Sequence, residues 1–310
     1  MEEKMEIMNL LQNKQLLEHE LQSLTYGSVE IRENDSNKYI YVHYREDGIA
    51  LTKYVGEYSD ELYNLVLNNS IKAKKLKRKI REINKKLKQL NYTEENLSEK
   101  VEQNIDFAKR HLVDTIYKQA ILEGVATTYT DTESIIEGGK VNNMTSEDIM
   151  KIVNLKHAWE FILNKNVILS NTNFTLLCEI NKMVEEGFYY SAGKVRNVPV
   201  TIGGTTWKPE LPIESVIKEE LEEIFNDGID DIDRAIELLL YTMKKQVFID
   251  GNKRTSVIFS NHYLISKGKG IIVIPAELTE DFKELLISYY EGKDEKKIKI
   301  FIKEKCYMSI

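Results

Sequence analysis

The sequence predicts a mainly helical protein in two parts, a small N-terminal module of helices and strands followed by a larger helical domain with one β-hairpin. Three observations predict this class. The 310 residues include only 4 prolines and 15 glycines, too few for an all-β chain rich in turns. Apolar residues recur at helical spacing through most of the chain. Strict alternation of apolar and polar residues is confined to short runs.

The composition excludes several other classes of protein. Apolar residues make up 42% and charged residues 30%, which excludes wholesale disorder. With 43 basic against 50 acidic side chains, the chain taken as a whole is not a general nucleic-acid binder. Cys178 and Cys306 give neither a disulfide framework nor a metal-ligand spacing. The opening MEEKMEIMNLL does not resemble a signal peptide, and no apolar run reaches the roughly 18 residues of a membrane span. We therefore expect a cytoplasmic protein without a membrane partner.

The first predicted domain, residues 1–92, combines helices with a small sheet. Helical spacing is followed by three strand-like runs and then by further helical spacing. This order predicts a helix, a three-stranded meander and a helical hairpin. The helices are predicted at 4–24, 59–68 and 71–90, and the strands at 27–32, 39–45 and 49–55.

The last predicted helix of this module is strongly basic. Ten Lys or Arg residues lie between Lys72 and Lys88, against the single acid Glu82. Apolar residues from Leu76 to Leu90 step by four and three, a heptad seam that predicts packing on the helix at 4–24. The cations then form a solvated face, which is the usual role of such runs. The alternative is that helix 72–88 binds nucleic acid or another acidic partner.

The second predicted domain, residues 93–310, is almost entirely helical. Ser98 is placed to cap its first helix. Residues 194–202 alternate and precede a pair of glycines, which predicts a β-hairpin. The helices are predicted at 98–122, 145–163, 171–186, 212–225, 231–245, 253–266, 279–289 and 295–305.

A polar loop between two apolar helices is the segment best suited to chemistry. It begins at Gln246, reads QVFIDGNKRT, and meets the N-terminus of the second helix, where free N–H groups and the helix dipole favour an anion. Gly251 would let the backbone approach a ligand, and Lys253 and Arg254 would contact phosphate oxygens. Asp250 beside phosphates would suit Mg²⁺. The alternative is a helix-capping turn with surface charges.

This loop resembles the signature of the Fic/Doc family, His-x-Phe-x-Asp/Glu-Gly-Asn-Gly/Lys-Arg between two helices. Three more stretches are similar to family features in the same order along residues 98–306. SIIEG from Ser134 resembles the inhibitory helix, and NLKHAW from Asn154 resembles the helix that follows it. SAGKVRNVPVTIGG from Ser191 is similar to the hairpin "flap", which presents a target peptide by strand addition.

The resemblance implies an all-α Fic fold that binds ATP and Mg²⁺ and transfers AMP to a Ser, Thr or Tyr hydroxyl of a target protein. It implies that Asp250 holds the Mg²⁺ and that Glu137, beside Ser134, is a regulatory glutamate that obstructs the γ-phosphate. It also leaves a homodimer open, since Fic proteins frequently pair. The residues it assigns to the phosphates are Gly251, Asn252, Lys253 and Arg254, and those assigned to the target in the flap are Thr201, Ile202 and Gly203.

Three departures from the family pattern leave the function open. The family histidine, which takes the proton from the attacking hydroxyl, is Gln246, and an amide cannot act as a general base. The later family arginine is Val257, and the position four before Glu137 is Glu133 in place of Ser or Thr. The protein is then an AMP-transferring enzyme with an unusual glutamine, or a catalytically impaired pseudoenzyme that regulates by binding nucleotide or protein, as an antitoxin-like partner would. A third alternative is a Doc-like phosphotransferase, because NKRT is also found in Doc-type toxins.

Overall fold

The structure, a computed structural model, describes residues 2–34, 37–46, 49–90, 97–142 and 144–310. The chain divides into two compact units, Met1–Glu95 and Asn96–Ile310. The predicted domain boundary between residues 92 and 93 lies outside the described residues. None of the helices in the described ranges combines the length and the apolar character needed to cross a membrane.

The first unit contains the predicted three-stranded meander. Its strands pair antiparallel in the order β1-β2-β3. On β2, Ile40 and Val42 are buried while Tyr39 and Tyr41 lie on the opposite, partly exposed face, as alternation along a strand requires. The elements are α1 (Glu2–Gln22), β1 (Ser28–Asn34), β2 (Asn37–Glu46), β3 (Ile49–Glu57) and α2 (Asp60–Gln89).

The prediction of two helices at 59–68 and 71–90 was wrong, because α2 is one continuous helix of 30 residues. The polar pair Asn69-Ser70 does not end the helix but connects it to the start of the sheet. Asn69 Nδ2 donates to Thr25 O over 3.2 Å, and Gly27 N donates to Ser70 Oγ over 3.1 Å. The Ser70 hydroxyl also donates to Val66 O, one turn back, over 2.8 Å. A side chain in the middle of the helix therefore connects α2 to the residues that precede β1.

We predict that Ser70→Ala lowers the free energy of unfolding by about 1–2 kcal/mol, because Gly27 N loses its partner. The loss should exceed the small gain in helix propensity that alanine brings. Urea denaturation followed by far-UV circular dichroism measures the change. Asn68→Ala, at an exposed position on the same helix, is the control and should leave stability unchanged or slightly raise it. Equal effects of the two substitutions would show that the Ser70 contact contributes nothing.

The second unit is a helical array with a short two-stranded sheet. The sequence analysis did not predict this sheet. The elements are α3 (Glu99–Arg110), α4 (Leu112–Leu122), α5 (Tyr129–Ile136), α6 (Ser146–Ile162), α7 (Lys165–Ile168), α8 (Phe174–Val184), α9 (Glu214–Asn226), α10 (Asp231–Lys245), α11 (Asn252–Ser266), β4 (Ile271–Ile272), α12 (Thr279–Tyr290), α13 (Glu295–Phe301) and β5 (Tyr307–Met308).

Helix α11 is the central helix of this unit. Every residue from Arg254 to Ile265 is buried, and the helix contacts α3, α6, α7, α8 and α10. A helix that is covered on all sides can hold its N-terminus in one place relative to its neighbours. The loop predicted to bind an anion is thus attached to the most enclosed element of the unit.

Two predicted helices are divided in the structure. The helix predicted at 98–122 is interrupted at His111, whose backbone leaves the helical region and whose Nδ1 lies 2.9 Å from Phe107 O. The helix predicted at 295–305 is α13 followed by a π-helical turn, Ile302–Cys306. By contrast, Ser98 caps α3 as predicted, and α10 has the predicted bounds.

Candidate active site

The loop between α10 and α11 is shaped by two residues with left-handed backbone conformations. Gln246 ends α10 with φ 47°, and Gly251 precedes α11 with φ 72°. Asn252 then closes the loop: Phe248 N donates to Asn252 Oδ1 over 3.0 Å, and Asn252 Nδ2 donates to Phe248 O over 2.8 Å. Phe248 is buried. Both polar atoms of the Asn252 side chain therefore bond within the loop. A ligand at the helix N-terminus could contact Asn252 only through its backbone N–H.

Arg254 places a buried cation beneath this loop. Its side chain is 3% exposed, and its Nη2 lies 2.7 Å from Glu185 Oε1 and 3.7 Å from Asp250 Oδ1. Its Nε lies 3.6 Å from Glu123 Oε2. Among the described residues, Nε and Nη1 have no hydrogen-bond partner. Because a guanidinium binds oxyanions through a fork of N–H groups, the site retains unsatisfied donors suited to a phosphate.

The backbone of Arg254 is held from two other helices. Gln119 on α4 donates from Nε2 to Arg254 O over 2.8 Å, and Trp159 on α6 donates from Nε1 to Gln119 Oε1 over 2.8 Å. All three residues are buried. This series of hydrogen bonds fixes the first turn of α11. Gln119 was not predicted, because nothing local marks a core glutamine as the partner of a residue 135 positions away, and Trp159 was quoted only as part of the NLKHAW stretch, without a role at the loop.

Glu185 brings a buried carboxylate from another helix against the loop. It lies at the C-terminal end of α8, is 1% exposed, and neither of its oxygens makes a hydrogen bond within the described residues. A Cβ atom at Gly251 would overlap Glu185 Oε1, so the carboxylate lies directly against the N-cap of α11. Burial raises the pKa of Glu185 to about 7, although Arg254 opposes this rise. The protein thus places one of its own acids at the helix terminus that would bind an anion.

The other charged residues of the loop are more accessible. The Asp250 side chain is half exposed, and its Oδ1 accepts a hydrogen bond from Gly251 N over 2.7 Å. Lys253 is one-third exposed, with its Nζ 3.7 Å from Oε1 of Glu123, which is itself largely buried. Glu123 and Glu185 thus both compete for the cations predicted to bind phosphate. No sequence pattern marks either acid as part of the site, because both are far from the loop in the chain.

A divalent ion fits this site only together with a bound phosphate compound that supplies part of its coordination. The described residues contain no group of three or more His, Cys, Asp or Glu side chains that could hold a metal. Mg²⁺ is commonly held by one or two carboxylates and by substrate phosphates. Asp250, half exposed beside the Arg254 donors, has the accessibility that such a shared site needs.

His262, the nearest histidine to the loop along the chain, does not replace the missing base. The Gln246 side chain turns back on α10 and donates from Nε2 to Met243 O over 2.6 Å. His262 is fully buried, with Nδ1 2.8 Å from Thr172 Oγ1 and Nε2 2.8 Å from Val167 O. Burial lowers the pKa of His262 to about 4. It therefore serves packing in the core of the unit.

The hairpin predicted at 194–202 does not form, because a buried guanidinium and not a strand ladder organises this segment. Arg196 Nε donates to Gln246 O over 2.6 Å, Nη1 to Val198 O over 2.8 Å and Nη2 to Glu210 O over 2.6 Å. Arg196 N also donates to Val247 O over 2.9 Å. One residue thus joins the flap segment to the start of the loop.

The flap residues Thr201, Ile202 and Gly203 lie in an irregular segment, with Thr201 and Gly203 exposed. Just beyond them, the Trp207 ring stacks on Tyr290 of α12 with a centroid distance of 5.4 Å. Thr205 Oγ1 donates to Glu291 Oε1 over 2.8 Å. The segment is therefore attached at both ends, to the loop and to α12.

The predicted regulatory residues lie on α5. Ser134 is within the helix, and Glu137 is its exposed C-cap residue. In the ranges that the structure describes, Glu137 forms no ion pair with Lys253 or Arg254. The acids that the structure does bring to these cations are Glu123, Glu185 and Asp250.

Comparison with known proteins finds a family model that matches this part of the chain. Residues 171–264, which contain α8, the flap segment, α10 and most of α11, match the model of the Fic/DOC family. The match covers 94 of the 310 residues, and this part of the chain is similar to a Fic/DOC domain, whose family commonly carries out AMP transfer or a related transfer. No protein with a curated description matches the chain.

Solved structures similar to this chain are Fic-domain proteins, which confirms the mainly helical fold predicted from the sequence. Fic-1 from C. elegans is 17% identical with a TM-score of 0.53, over 79% of this chain and 73% of that one. A Fic domain containing signaling protein from Bacteroides thetaiotaomicron is 18% identical with a TM-score of 0.54, over 67% and 86%. A Fic family protein from Desulfovibrio desulfuricans is 12% identical with a TM-score of 0.52, over 68% and 74%.

We predict that Gly251→Ala lowers the free energy of unfolding by about 1–3 kcal/mol. The added Cβ overlaps Glu185 Oε1, and alanine resists a positive φ. Gly203→Ala is the control, because a Cβ there meets nothing within 4 Å. Chemical denaturation monitored by tryptophan fluorescence measures both variants. If Gly251→Ala is as stable as Gly203→Ala, Glu185 does not lie against the loop.

Proposed function

We propose that this protein binds ATP with Mg²⁺ at the loop between α10 and α11 and transfers AMP to a hydroxyl side chain of a target protein. The observation that supports this most is Arg254. It is a buried guanidinium, with two nitrogens that lack hydrogen-bond partners within the described residues, at the glycine-capped N-terminus of a buried helix. Helix N-termini and guanidinium groups both bind phosphates.

Each residue of the loop has a role in this proposal. Arg254 and Lys253 contact phosphate oxygens, and Gly251 lets the first N–H groups of α11 approach them without obstruction by a side chain. Asp250 holds the Mg²⁺, which supplies charge neutralisation to the phosphates when it is bound. Asn252 keeps the loop closed through its two hydrogen bonds with Phe248.

In the proposed transfer, the target hydroxyl oxygen forms a bond to the α-phosphorus. The bond from that phosphorus to the bridging oxygen breaks, and pyrophosphate leaves with the electron pair. The proton of the hydroxyl passes to water, because Gln246 has no titratable group to accept it. A missing general base costs roughly 10²–10⁴ in rate. Reactions of this kind depend mainly on positioning and charge stabilisation, which the rest of the loop supplies.

The target is proposed to bind along the flap. Thr201, Ile202 and Gly203 lie in a segment that is joined to the loop through Arg196. An extended peptide that pairs with this segment would place a Ser, Thr or Tyr hydroxyl near the nucleotide. The partner is thus a protein with an accessible hydroxyl side chain in an extended region.

One observation favours a second candidate function, a pseudoenzyme that binds nucleotide or a protein partner without transfer. The Gln246 amide is engaged with Met243 O, and Arg254 is already contacted by Glu185. A site whose base is absent and whose cation is internally paired can bind without catalysis. A Doc-like transfer of the γ-phosphate uses the same residues and differs only in the phosphorus that the hydroxyl attacks.

Labelled ATP separates these functions. We predict that the protein, incubated with Mg²⁺ and cell lysate, transfers label from α-labelled ATP to a protein and adds no label from γ-labelled ATP beyond what the lysate incorporates alone. The reverse pattern would indicate phosphate transfer. Arg254→Ala and the more exposed Lys253→Ala should each lower labelling at least tenfold, because phosphate contacts are lost. Arg110→Ala, at an exposed position, is the control.

Gln246→His tests the missing base directly. If the wild type labels a target, the histidine variant should do so about 10²-fold faster. If only Gln246→His is active, the natural protein is the pseudoenzyme. Absence of any binding of magnesium nucleotide by calorimetry in both proteins would remove the transfer functions and the nucleotide-binding pseudoenzyme, and would leave only a pseudoenzyme that binds a protein partner.

We predict that Glu185→Gln strengthens binding of a magnesium ATP analogue about tenfold at pH 8. With a pKa of about 7, Glu185 is mostly charged at pH 8 and repels phosphate, whereas at pH 6 it is mostly protonated. Wild-type affinity should therefore rise as the pH falls from 8 to 6, and the variant should lose this part of the pH dependence. Calorimetry at pH 6, 7 and 8 measures both.

The control for this experiment is Glu186→Gln, which removes the neighbouring exposed acid. The phosphates of the nucleotide titrate in the same way with this variant as with the wild type. Glu186→Gln should therefore keep the wild-type pH profile of binding. Identical profiles for Glu185→Gln and Glu186→Gln would show that Glu185 does not compete with the nucleotide.

A further inference from the structure

The charges of this chain are strongly segregated. Between Lys72 and Lys88, α2 carries ten cations and one acid, whereas the rest of the chain carries 33 cations and 49 acids. A chain with a net charge of −7 thus contains a helix half of high positive charge. This basic half of α2 lies in the first unit, whereas the loop between α10 and α11 belongs to the second unit.

Five of these cations form one stripe on α2, which we define as Lys74, Arg78, Arg81, Lys85 and Lys88. They step by four and three residues, as the apolar seam does, but on the opposite face of the helix. All five are exposed, whereas Leu76 and Leu87 of the seam are buried. At 1.5 Å per residue the stripe is about 21 Å long.

The stripe is almost free of compensating acids. Within the part of the chain that the structure describes, Arg78 is the one member with an ion pair, to Glu82 at 3.0 Å. The side chains of that pair are 82% and 59% exposed, so the pair contributes little and is easily exchanged. The remaining four cations have no acidic partner in those ranges, and their charges are available to an external polyanion.

We propose that this stripe binds the phosphate backbone of double-stranded nucleic acid without sequence preference. A duplex carries one charge per about 1.7 Å, so a stripe of this length faces roughly a dozen phosphates. Residues 72–90 include no aromatic side chain that could stack on single-stranded bases. An anionic membrane fits less well, because the apolar face that a membrane helix inserts is occupied by contact with α1.

The test is fluorescence anisotropy with the full-length protein, without ATP, and a labelled 20-base-pair DNA duplex over a range of salt concentrations. Five neutralised phosphates predict a slope of log affinity against log salt of about −4 to −5. Replacing all five stripe cations by glutamine should weaken binding at least tenfold at low salt and flatten the slope by about 4. Glutamine is compatible with helix, and circular dichroism checks the fold.

A matched variant controls for overall charge. It replaces five exposed lysines of the second unit by glutamine, at Lys109, Lys208, Lys269, Lys296 and Lys305. It should change affinity less than twofold. The proposal is overturned if the two variants lose affinity equally, or if the wild type does not bind the duplex at low salt. Binding to polyglutamate or to phosphatidylserine vesicles in place of the duplex would also overturn it, and an RNA duplex distinguishes DNA from RNA as the natural source of the backbone.

Discussion

The second unit depends on how it accommodates the buried charge of Arg254. A guanidinium removed from water is costly unless carboxylates and hydrogen bonds compensate it, and breaking one side of such a pair costs about 3–5 kcal/mol. Here Glu185 and Glu123 supply the carboxylates, from the ends of α8 and α4. The compensation is incomplete, because atoms of all three side chains remain without hydrogen bonds in the described residues. An incompletely paired cluster at a helix N-terminus supports the view that a further polar group completes it.

Hydrogen bonds from three distant segments of the chain converge on the same loop. Gln119 and Trp159 fix the backbone of Arg254, Arg196 fixes the backbone of Gln246, and Asn252 closes the turn between them. Apart from the hydrogen bond between the Trp159 and Gln119 side chains, each contact uses a backbone carbonyl or N–H group of the loop or of the first turn of α11. The side chain at position 246 contributes little to this framework. The loop geometry therefore does not require the histidine that the Fic/Doc signature has at this position.

Local patterns made part of this structure predictable. The meander, the bounds of α10 and the cap at Ser98 follow from alternation, periodicity and capping residues, which act over a few positions. The position of the loop at a helix N-terminus was predictable for the same reason. Its phosphate and metal roles rest on its residue types, on the helix N-terminus and on the resemblance, and they stay predictions.

Tertiary contacts decided the features that the sequence analysis missed or predicted wrongly. Ser70 continues α2 because its hydroxyl reaches Gly27, 43 residues earlier in the chain. The predicted hairpin is replaced by an irregular segment because the buried Arg196 guanidinium, and not a second strand, donates hydrogen bonds to its backbone and to the loop. Glu185 ends a helix with an ordinary Glu-Glu-Gly sequence, and only the fold shows that it lies against Gly251. Such contacts leave no periodic signal in a single sequence.

The distribution of tryptophan gives the second unit two natural optical probes. The chain has only Trp159 and Trp207. Trp159 hydrogen-bonds to the glutamine that supports Arg254, and Trp207 stacks on Tyr290 beside the flap segment. Fluorescence excited at the red edge of the indole band therefore comes from these two tryptophans, one on each side of the candidate site, and from no residue of the first unit. Its lifetime and quenching can then be interpreted without any attached dye.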